Sequence, residues 1–230
     1  APEKMELIRN MGAEVRLVPP ARYRDPSNYN HIAKRTAEET DNAFWANQFD
    51  NVANRRAHYE TTGPELWEEL GGNIDGFTCS VGTGGTLAGV GMALKERNAN
   101  VKIALSDPMG SALYHFYKHG ELKAEGSSIT EGIGQGRETT NLVGAPIDDA
   151  YQVPDEEALP VVFDLLKNEG LCLGTSSGIN VSGAIRMARE MGPGHTIVTI
   201  LCDYGTRYQS KLFNVDFLKE KGLPYPGWMA

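Results

Sequence analysis

Short apolar runs alternate with amphipathic segments along this 230-residue chain, and the alternation predicts an α/β fold. The runs at 77–81, 101–106 and 196–202 are mostly apolar, which is typical of parallel strands that are buried on both faces. Helices are predicted at 3–11, 28–40, 53–70, 86–97, 111–118, 155–168, 178–191 and 215–221, and further strands at 14–18, 43–46 and 151–153. Strands and helices in this order predict twisted, mostly parallel sheets with helices on both faces.

Two stretches interrupt this pattern. Gly63 and Pro64 fall inside the helical segment 53–70 and predict a break or kink there, because proline cannot donate a helical hydrogen bond. Residues 119–148 show little periodicity and many glycines, so we expect a long functional loop with short pieces of structure.

Composition narrows the class of protein. Apolar residues make up 40% of the chain and charged residues 23%, as in an ordinary soluble globular protein. The net charge of −8 and the lack of a basic run argue against nucleic acid as a partner. No apolar run approaches the roughly 18 residues of a membrane span, and the first residues lack the profile of a signal peptide.

The cysteines and histidines carry weaker signals. Cys79, Cys172 and Cys202 lie in apolar stretches without a CxxC spacing. This pattern predicts buried free thiols in a reducing cytosol, hence a cytoplasmic protein, with a catalytic cysteine as the alternative. His115 and His119 stand one helical turn apart, but without an HExxH motif or a nearby third ligand they predict no metal site.

A loop rich in glycine and hydroxyl residues follows a predicted strand and opens the next helix. Gly82, Gly84 and Gly85 permit backbone angles that other residues avoid, so successive N–H groups can point at one spot near the positive end of the helix. Thr83 and Thr86 add hydroxyl donors. The loop therefore predicts a phosphate site. The alternatives are a tight turn without a ligand and a nucleotide-binding domain, although neither GxGxxG nor GxxxxGK[ST] is present.

Three other segments combine small and polar residues. Residues 173–180 (LGTSSGIN) open a predicted helix, and Ser176 and Ser177 are either site residues or, at least as readily for Ser177, helix caps. Residues 130–136 (TEGIGQG) have three glycines in five positions, so the backbone either approaches a ligand closely or forms a flexible surface loop. Residues 47–51 (NQFDN) place amides at a predicted strand end, where α/β sheets build sites, or simply form a turn.

Together these segments resemble the cysteine synthase (O-acetylserine sulfhydrylase) family of fold type II pyridoxal-phosphate enzymes. SVGTGGTLAGV is similar to the family's phosphate loop, and EGIGQG is similar to its active-site loop. NQFDNVANRRAHYETTGPELWEEL resembles the substrate-side strand end with its following helix, and GTSSGINVSGAIRMARE and TILCDYGTRYQSKLF resemble the C-terminal cofactor segment. The similarity extends over essentially the whole chain in the family's order.

The resemblance implies a site for pyridoxal 5'-phosphate. The residues that would hold the phosphate are Gly82, Thr83, Gly84, Gly85 and Thr86. Ser176 would meet the pyridine nitrogen, and a hydroxyl there need not keep that nitrogen protonated, which suits β-elimination. Gln48 would bind the substrate carboxylate. The residues that would line the site opposite the substrate amine are Gly132, Ile133 and Gly134.

The resemblance also implies a reaction. In the family a lysine removes the α-proton of O-acetylserine, acetate leaves, and sulfide adds to give L-cysteine. We therefore expect β-replacement on a small amino acid with sulfide as the second substrate, in a homodimer. A cysteine desulfhydrase, which works by β-elimination, is the alternative within the same class. Asp203 lies near the cofactor segment and its role is left open.

Two family motifs have no counterpart in the sequence. These are the Ser/Asn-x-Lys-Asp-Arg motif, which carries the Schiff-base lysine, and the Ser/Thr-Gly-Asn-Thr/Ser-Gly loop. The chain thus resembles the C-terminal portion of the enzyme, with 1–46 as the end of the small mobile domain and 47–230 as the large cofactor-binding domain. We expect no Schiff-base lysine in it and little or no turnover by it alone. A non-catalytic fragment that binds a phosphate ligand is the alternative from another class.

Overall fold

The computed structural model describes residues 2–229, which form helices around one parallel sheet. In chain order the elements are α1 (Pro2–Asn10), α2 (Tyr29–Glu38), α3 (Ala53–Glu60), α4 (Thr62–Glu69), β1 (Gly76–Cys79), α5 (Gly85–Arg97), β2 (Lys102–Pro108), α6 (Leu113–His119), β3 (Asp149–Val153), α7 (Asp155–Asp164), α8 (Thr175–Met191), β4 (Ile197–Thr199) and α9 (Val215–Glu220). A π-helical turn, Leu165–Glu169, continues α7, and 3₁₀ turns lie at Gly205–Tyr208 and Gly227–Met229. No helix within residues 2–229 is long and apolar enough to cross a bilayer.

The sheet has the strand order β3-β2-β1-β4, with all pairs parallel. In the register of β1, Gly76 lies opposite both Lys102 of β2 and Ile197 of β4. Parallel neighbours require crossover connections, which are right-handed in nearly all proteins. The connections through α5 and α6 lead from β1 by way of β2 to β3, whereas α7 and α8 lead back from β3 to β4, on the other side of β1. The two groups of helices therefore cover opposite faces of the sheet.

Apolar side chains form a core on each face of the sheet. On one face, fully buried side chains of the strands and α5 pack together: Phe77, Leu87, Leu94, Ile103 and Leu105. On the other face, the strand residues that alternate with these pack against α7 and α8. This second core contains Ala104, Val153, Ala158, Ile179 and Met187. Because the strands are covered on both faces, their sequences read as apolar runs, and the predicted α/β architecture is confirmed.

The strands predicted at 14–18 and 43–46 are wrong. Both segments are irregular, because a strand needs a hydrogen-bonded neighbour and none faces either segment within the described chain. Their apolar side chains stay in water: Leu17 is 68% exposed and Phe44 is 84% exposed. The helix predicted between them is present as α2.

Other boundaries differ for local reasons. The helical segment 53–70 breaks at Thr61 rather than at Gly63 and Pro64, and Pro64 lies in the first turn of α4, where a missing N–H is tolerated. The strand predicted at 196–202 ends at Thr199 because the carbonyl of Ile200 accepts from a side chain instead of pairing in the sheet. The loop predicted at 119–148 contains no helix or strand after His119.

The cysteines agree with prediction only in part. Cys79 is buried on β1, as expected. Cys172 is partly exposed and Cys202 is exposed, because neither lies on a strand: Cys172 precedes α8 and Cys202 follows β4. All three are free thiols.

Candidate active site

The candidate site lies at the carboxyl ends of β1 and β4. The chain leaves β1 through the glycine loop into α5 and then to β2, whereas β4 pairs with the opposite side of β1. The connections therefore diverge between these two strands. Such a switch point opens a crevice, and it is where open α/β sheets bind ligands.

The glycines of residues 82–86 are required by shape. Gly84 is the residue before α5 and has a φ of 88°, in the left-handed region that side chains disfavour. A Cβ on Gly82 would lie 2.6 Å from the carbonyl oxygen of Gly132. Gly85 has no room for a side chain because the amide of Asn54 lies against it. Glycine at these positions thus allows the loop to bend and to lie directly against Gly132 and Asn54.

Thr83 is fixed by two neighbouring side chains. The Nδ2 of Asn54 donates both to the Thr83 Oγ1 at 3.0 Å and to the carbonyl of Gln48 at 2.9 Å. The Oγ1 of Thr139 donates to the Thr83 carbonyl at 2.7 Å. These bonds leave the loop's own N–H groups available, since those of residues 82–84 find no acceptor within residues 2–229.

Thr86, at the start of α5, contacts a histidine. Its Oγ1 lies 3.2 Å from the Nε2 of His58, and the Nδ1 of His58 lies 3.0 Å from the Oγ1 of Thr62. Burial lowers the pKa of His58, which favours the neutral ring at neutral pH. The chain of contacts therefore orients the Thr86 hydroxyl without adding a fixed charge.

The predicted active-site loop packs directly on the glycine loop. The N–H of Gly134 donates to the carbonyl of Val81 at 2.9 Å. Farther along, the Ser111 Oγ donates to the carbonyl of Gln135 at 3.1 Å and accepts from its N–H at 3.0 Å. Ile133 differs from its glycine neighbours, because its side chain packs against the core on the α8 face.

Gln48 has a fixed backbone and an exposed side chain. It follows Asn47, which has a φ of 47°, a conformation that asparagine tolerates. The Gln48 carbonyl accepts from Asn54 and also from the Nδ2 of Asn141 at 3.0 Å. Its side-chain amide makes no hydrogen bond within residues 2–229, so it can bind a ligand.

Ser176 and Ser177 play different parts at the start of α8. The Oγ of Ser177 accepts from the N–H of Cys202 at 3.0 Å, and α8 has no side-chain cap, so the alternative that Ser177 caps the helix is excluded. Ser176 is 4% exposed, and its hydroxyl lies near the thiol of Cys202. Although Cys202 is exposed as a residue, its sulfur is largely enclosed, and this enclosure raises the pKa of the thiol. The thiol therefore stays protonated, which makes a catalytic cysteine here a poor alternative.

Two buried oxygens next to Ser176 lack partners in the described part of the chain: the Oγ1 of Thr175 and the Oδ1 of Asp203. The Oδ2 of Asp203 accepts from the hydroxyl of Tyr208 at 2.7 Å. Buried polar atoms without partners mark sites that await another group. This end of the site offers polar side chains, whereas the glycine loop offers N–H donors, and the combination fits a heterocycle that carries a phosphate.

Several residues support the site through side-chain contacts that the sequence did not predict. They are Asn54, Thr139, Asn141 and Asn180, each of which bonds a site segment through a side-chain amide or hydroxyl. The amides of residues 47–51 drew attention to the neighbourhood of Asn54. Asn180 ends the segment 173–180 that the sequence analysis named, but nothing in that segment indicated its partner Ser80, which lies 100 residues away.

Comparison with known proteins agrees with this geometry. The model of the pyridoxal-phosphate dependent enzymes matches residues 1–203, and the chain belongs to that family. The cofactor of the family is pyridoxal phosphate, and the donors described above fit it.

Individual relatives make the similarity more specific. Cysteine synthase 1 of Emericella nidulans is 51% identical over 226 residues, which cover 96% of this chain and 61% of that protein. Cysteine synthase 1 of Neurospora crassa is 49% identical over 225 residues, with 96% and 60% covered. The crystal structure of an O-acetylserine dependent cystathionine beta-synthase from Helicobacter pylori superposes with a TM-score of 0.82 at 32% identity, covering 91% of this chain and 65% of that one. The chain thus spans about 60% of the length of the curated relatives.

Proposed function

We propose that this chain is the cofactor-binding part of an enzyme that makes L-cysteine from O-acetylserine and sulfide by β-replacement. The observation that carries the proposal is that the phosphate loop, residues 82–86, and the active-site loop, residues 130–136, meet at the end of β1. The N–H of Gly134 donates to the carbonyl of Val81 there at 2.9 Å, and Ser176 lies nearby at the start of α8. The identity to two fungal cysteine synthases supports the choice of reaction.

The chain's residues divide the work of binding the cofactor. The N–H groups of residues 82–86, with the hydroxyls of Thr83 and Thr86, hold the phosphate at the positive end of α5. The hydroxyl of Ser176 hydrogen-bonds the pyridine nitrogen without supplying a charge. When bound, pyridoxal phosphate supplies an electron sink that makes loss of the substrate's α-proton and β-substituent possible.

The substrate is held by the loops that face this cofactor. The free amide of Gln48 donates to the substrate carboxylate. Its backbone is held by Asn54 and Asn141, so little freedom is lost when the amide binds. The backbone of Gly132 and Gly134 lines the opposite side, where the lack of a side chain lets the amino acid approach closely.

The proton-transfer group is proposed to lie outside this set of residues. Lys4 and Lys211 both pair with Glu131, at 3.3 and 2.6 Å, and are not free to act as bases. We propose that a lysine in the part of the enzyme that the relatives have and this chain does not span removes the α-proton. On this proposal residues 1–46 belong to a small mobile domain and 47–230 to the large domain of a cytoplasmic homodimer.

A second candidate reaction uses the same first substrate. The structural similarity to an O-acetylserine dependent cystathionine beta-synthase, with a TM-score of 0.82, supports a larger thiol as the nucleophile in place of sulfide. Cysteine desulfuration by β-elimination remains a third outcome that the same assay can detect.

The test is an assay of the enzyme that contains this chain together with the segment its relatives carry. We expect cysteine from O-acetylserine and sulfide as the fastest reaction. Faster cystathionine formation from O-acetylserine and homocysteine would establish the second candidate, and sulfide release from cysteine alone the third. Failure of pyridoxal phosphate to bind would contradict all of them.

A further inference from the structure

One buried amide joins three elements beneath the site. Asn180, in the second turn of α8, is fully buried. Its Oδ1 accepts from the N–H of Ser80, the residue after β1, at 2.7 Å. Its Nδ2 donates to the carbonyl of Ile200, just after β4, at 2.7 Å and contacts the thiol of Cys202 at 3.2 Å. The side chain thus connects the ends of β1 and β4 to α8.

The partners of Asn180 lie close to the two parts of the proposed site, which are the phosphate loop of residues 82–86 and Ser176. Ser80 is two residues before Gly82, so it sets where the glycine loop leaves the sheet. The N–H of Cys202 donates to the Oγ of Ser177, the neighbour of Ser176, so Cys202 holds the start of α8, where Ser176 lies. Strand β4 ends at Thr199, and the chain is next held by backbone bonds at a bridge between Leu173 and Tyr204, where the N–H of Gly174 donates to the carbonyl of Asp203 at 2.8 Å. Between these two points Asn180 is the side chain that bonds the Ile200 carbonyl.

Asn180 itself cannot reach a ligand. It has no exposed surface, and both its oxygen and its nitrogen are engaged by protein atoms. Any influence on binding must therefore pass through Ser80 and Cys202. An amide suits the position because it accepts on one side and donates on the other, matching one N–H and one carbonyl.

We infer that Asn180 is a positioning residue that fixes the separation between the phosphate loop and Ser176. The inference rests on the proposed cofactor site. Pyridoxal phosphate would contact both the phosphate loop and Ser176, so its binding requires the correct distance between them. Inorganic phosphate fills only the phosphate loop and does not depend on that distance. The loop is held independently by Asn54 and Thr139, so it retains its own shape when Asn180 changes.

The experiment compares two probes, pyridoxal phosphate and inorganic phosphate, on the purified chain. Binding of each is measured by titration well below the melting temperature. For Asn180→Ala we expect pyridoxal phosphate to bind about tenfold more weakly and phosphate to change by less than about twofold. The fluorescence of bound pyridoxal phosphate should shift as well, because the environment of its ring changes.

A matched control separates positioning from stability. Asn28 is also buried, at 5% exposure, and also uses its side chain to bond backbone, donating to the Ala21 carbonyl and accepting from the Asn30 N–H. Asn28→Ala should lower the melting temperature yet leave the ratio of the two affinities unchanged.

A second variant keeps the test decisive if Asn180→Ala does not fold. Asn180→Asp retains the acceptor for Ser80 and loses the donor to Ile200, so it should alter the affinity ratio in the same direction. An unchanged ratio in a folded variant overturns the inference while the cofactor site stands. A wild-type chain that binds phosphate but no pyridoxal phosphate overturns the cofactor site as well, and this is seen before any variant is made.

Discussion

The guanidinium of Arg137 forms a two-pronged ion pair with the carboxylate of Asp50, with N–O distances of 2.9 and 2.8 Å. Asp50 also accepts from the N–H and the hydroxyl of Thr140, both at 3.0 Å. The guanidinium lies 3.9 Å from the ring centre of Tyr23. The pair therefore joins two segments of the site. One is the turn of residues 47–51, which carries Gln48, and the other is the C-terminal end of the active-site loop, residues 130–136.

Breaking this pair should cost more than breaking a surface pair. Asp50→Asn leaves a half-buried guanidinium without its counter-charge, and we expect a loss of about 1–3 kcal/mol in the free energy of unfolding, measured in urea. The matched control is Arg56→Gln, which removes an exposed ion pair to Glu60 and should cost less than about 0.5 kcal/mol. Equal losses for the two variants would contradict the structural role given to Arg137.

The same pair predicts acid sensitivity. The hydrogen bonds from Arg137, with those from Thr140, lower the pKa of Asp50 to about 2 despite its partial burial. A depressed folded-state pKa gives stability that is present above the unfolded value, near 3.8, and is lost as the pH falls toward 2. The wild type should lose up to about 2 kcal/mol more than Asp50→Asn between pH 5 and pH 2. Parallel pH profiles for the two proteins would count against this assignment.

Asp107 predicts the opposite pH dependence. Burial raises its pKa to about 6, although a hydrogen bond from the N–H of Tyr114 partly opposes the rise. Because the folded state holds the proton more tightly, stability is lost as the pH rises from about 4 to about 6. Asp107→Asn keeps an acceptor for Tyr114 and should be more stable than wild type at pH 7.5, by at most about 3 kcal/mol. The difference should vanish below pH 4, and a constant difference at all pH values would refute the argument.

Gly85 and Gly136 should respond differently to alanine. A methyl group on Gly85 meets the amide of Asn54, which holds Thr83 and the carbonyl of Gln48, so Gly85→Ala should weaken phosphate binding at least about tenfold. Gly136 has open space around its Cβ position, and Gly136→Ala should bind phosphate as the wild type does. Titration with inorganic phosphate distinguishes them, and equal affinities would show that the packing of Asn54 is dispensable.

The sequence correctly predicted the elements that depend on residues within one segment, and it failed for those that depend on a partner elsewhere in the chain. The runs at 77–81 and 101–106 are apolar because each strand is buried on both faces, and that signal lies within the strand itself. Segments 14–18 and 43–46 have strand-like patterns, but pairing depends on a neighbour, and a pattern within one segment cannot reveal whether the neighbour is there.

The site was predictable to a similar degree. Its glycines and Ser176 stand in recognisable motifs, because close approach to a phosphate leaves few residue types that fit. The contacts of the supporting amides follow no motif, since Asn141 reaches Gln48 across 93 positions and Asn180 reaches Ser80 across 100. Any polar residue on a helix or loop could make such contacts, so only the folded arrangement distinguishes these from the chain's other asparagines.

The adjacent serines of α8 offer the sharpest test of the candidate site. Ser177 accepts from the N–H of Cys202, so Ser177→Ala leaves that N–H without its partner and should lower the free energy of unfolding by about 1–2 kcal/mol. The hydroxyl of Ser176 lies near the thiol of Cys202, a weak partner, so Ser176→Ala should cost less stability, under about 1 kcal/mol. Its effect should instead fall on pyridoxal phosphate, which loses its bond at the ring nitrogen and binds about fivefold to tenfold more weakly, with phosphate affinity unchanged. If Ser176→Ala bound pyridoxal phosphate normally and Ser177→Ala did not, the ring nitrogen would lie at Ser177, and the assignment of the two hydroxyls would have to be exchanged.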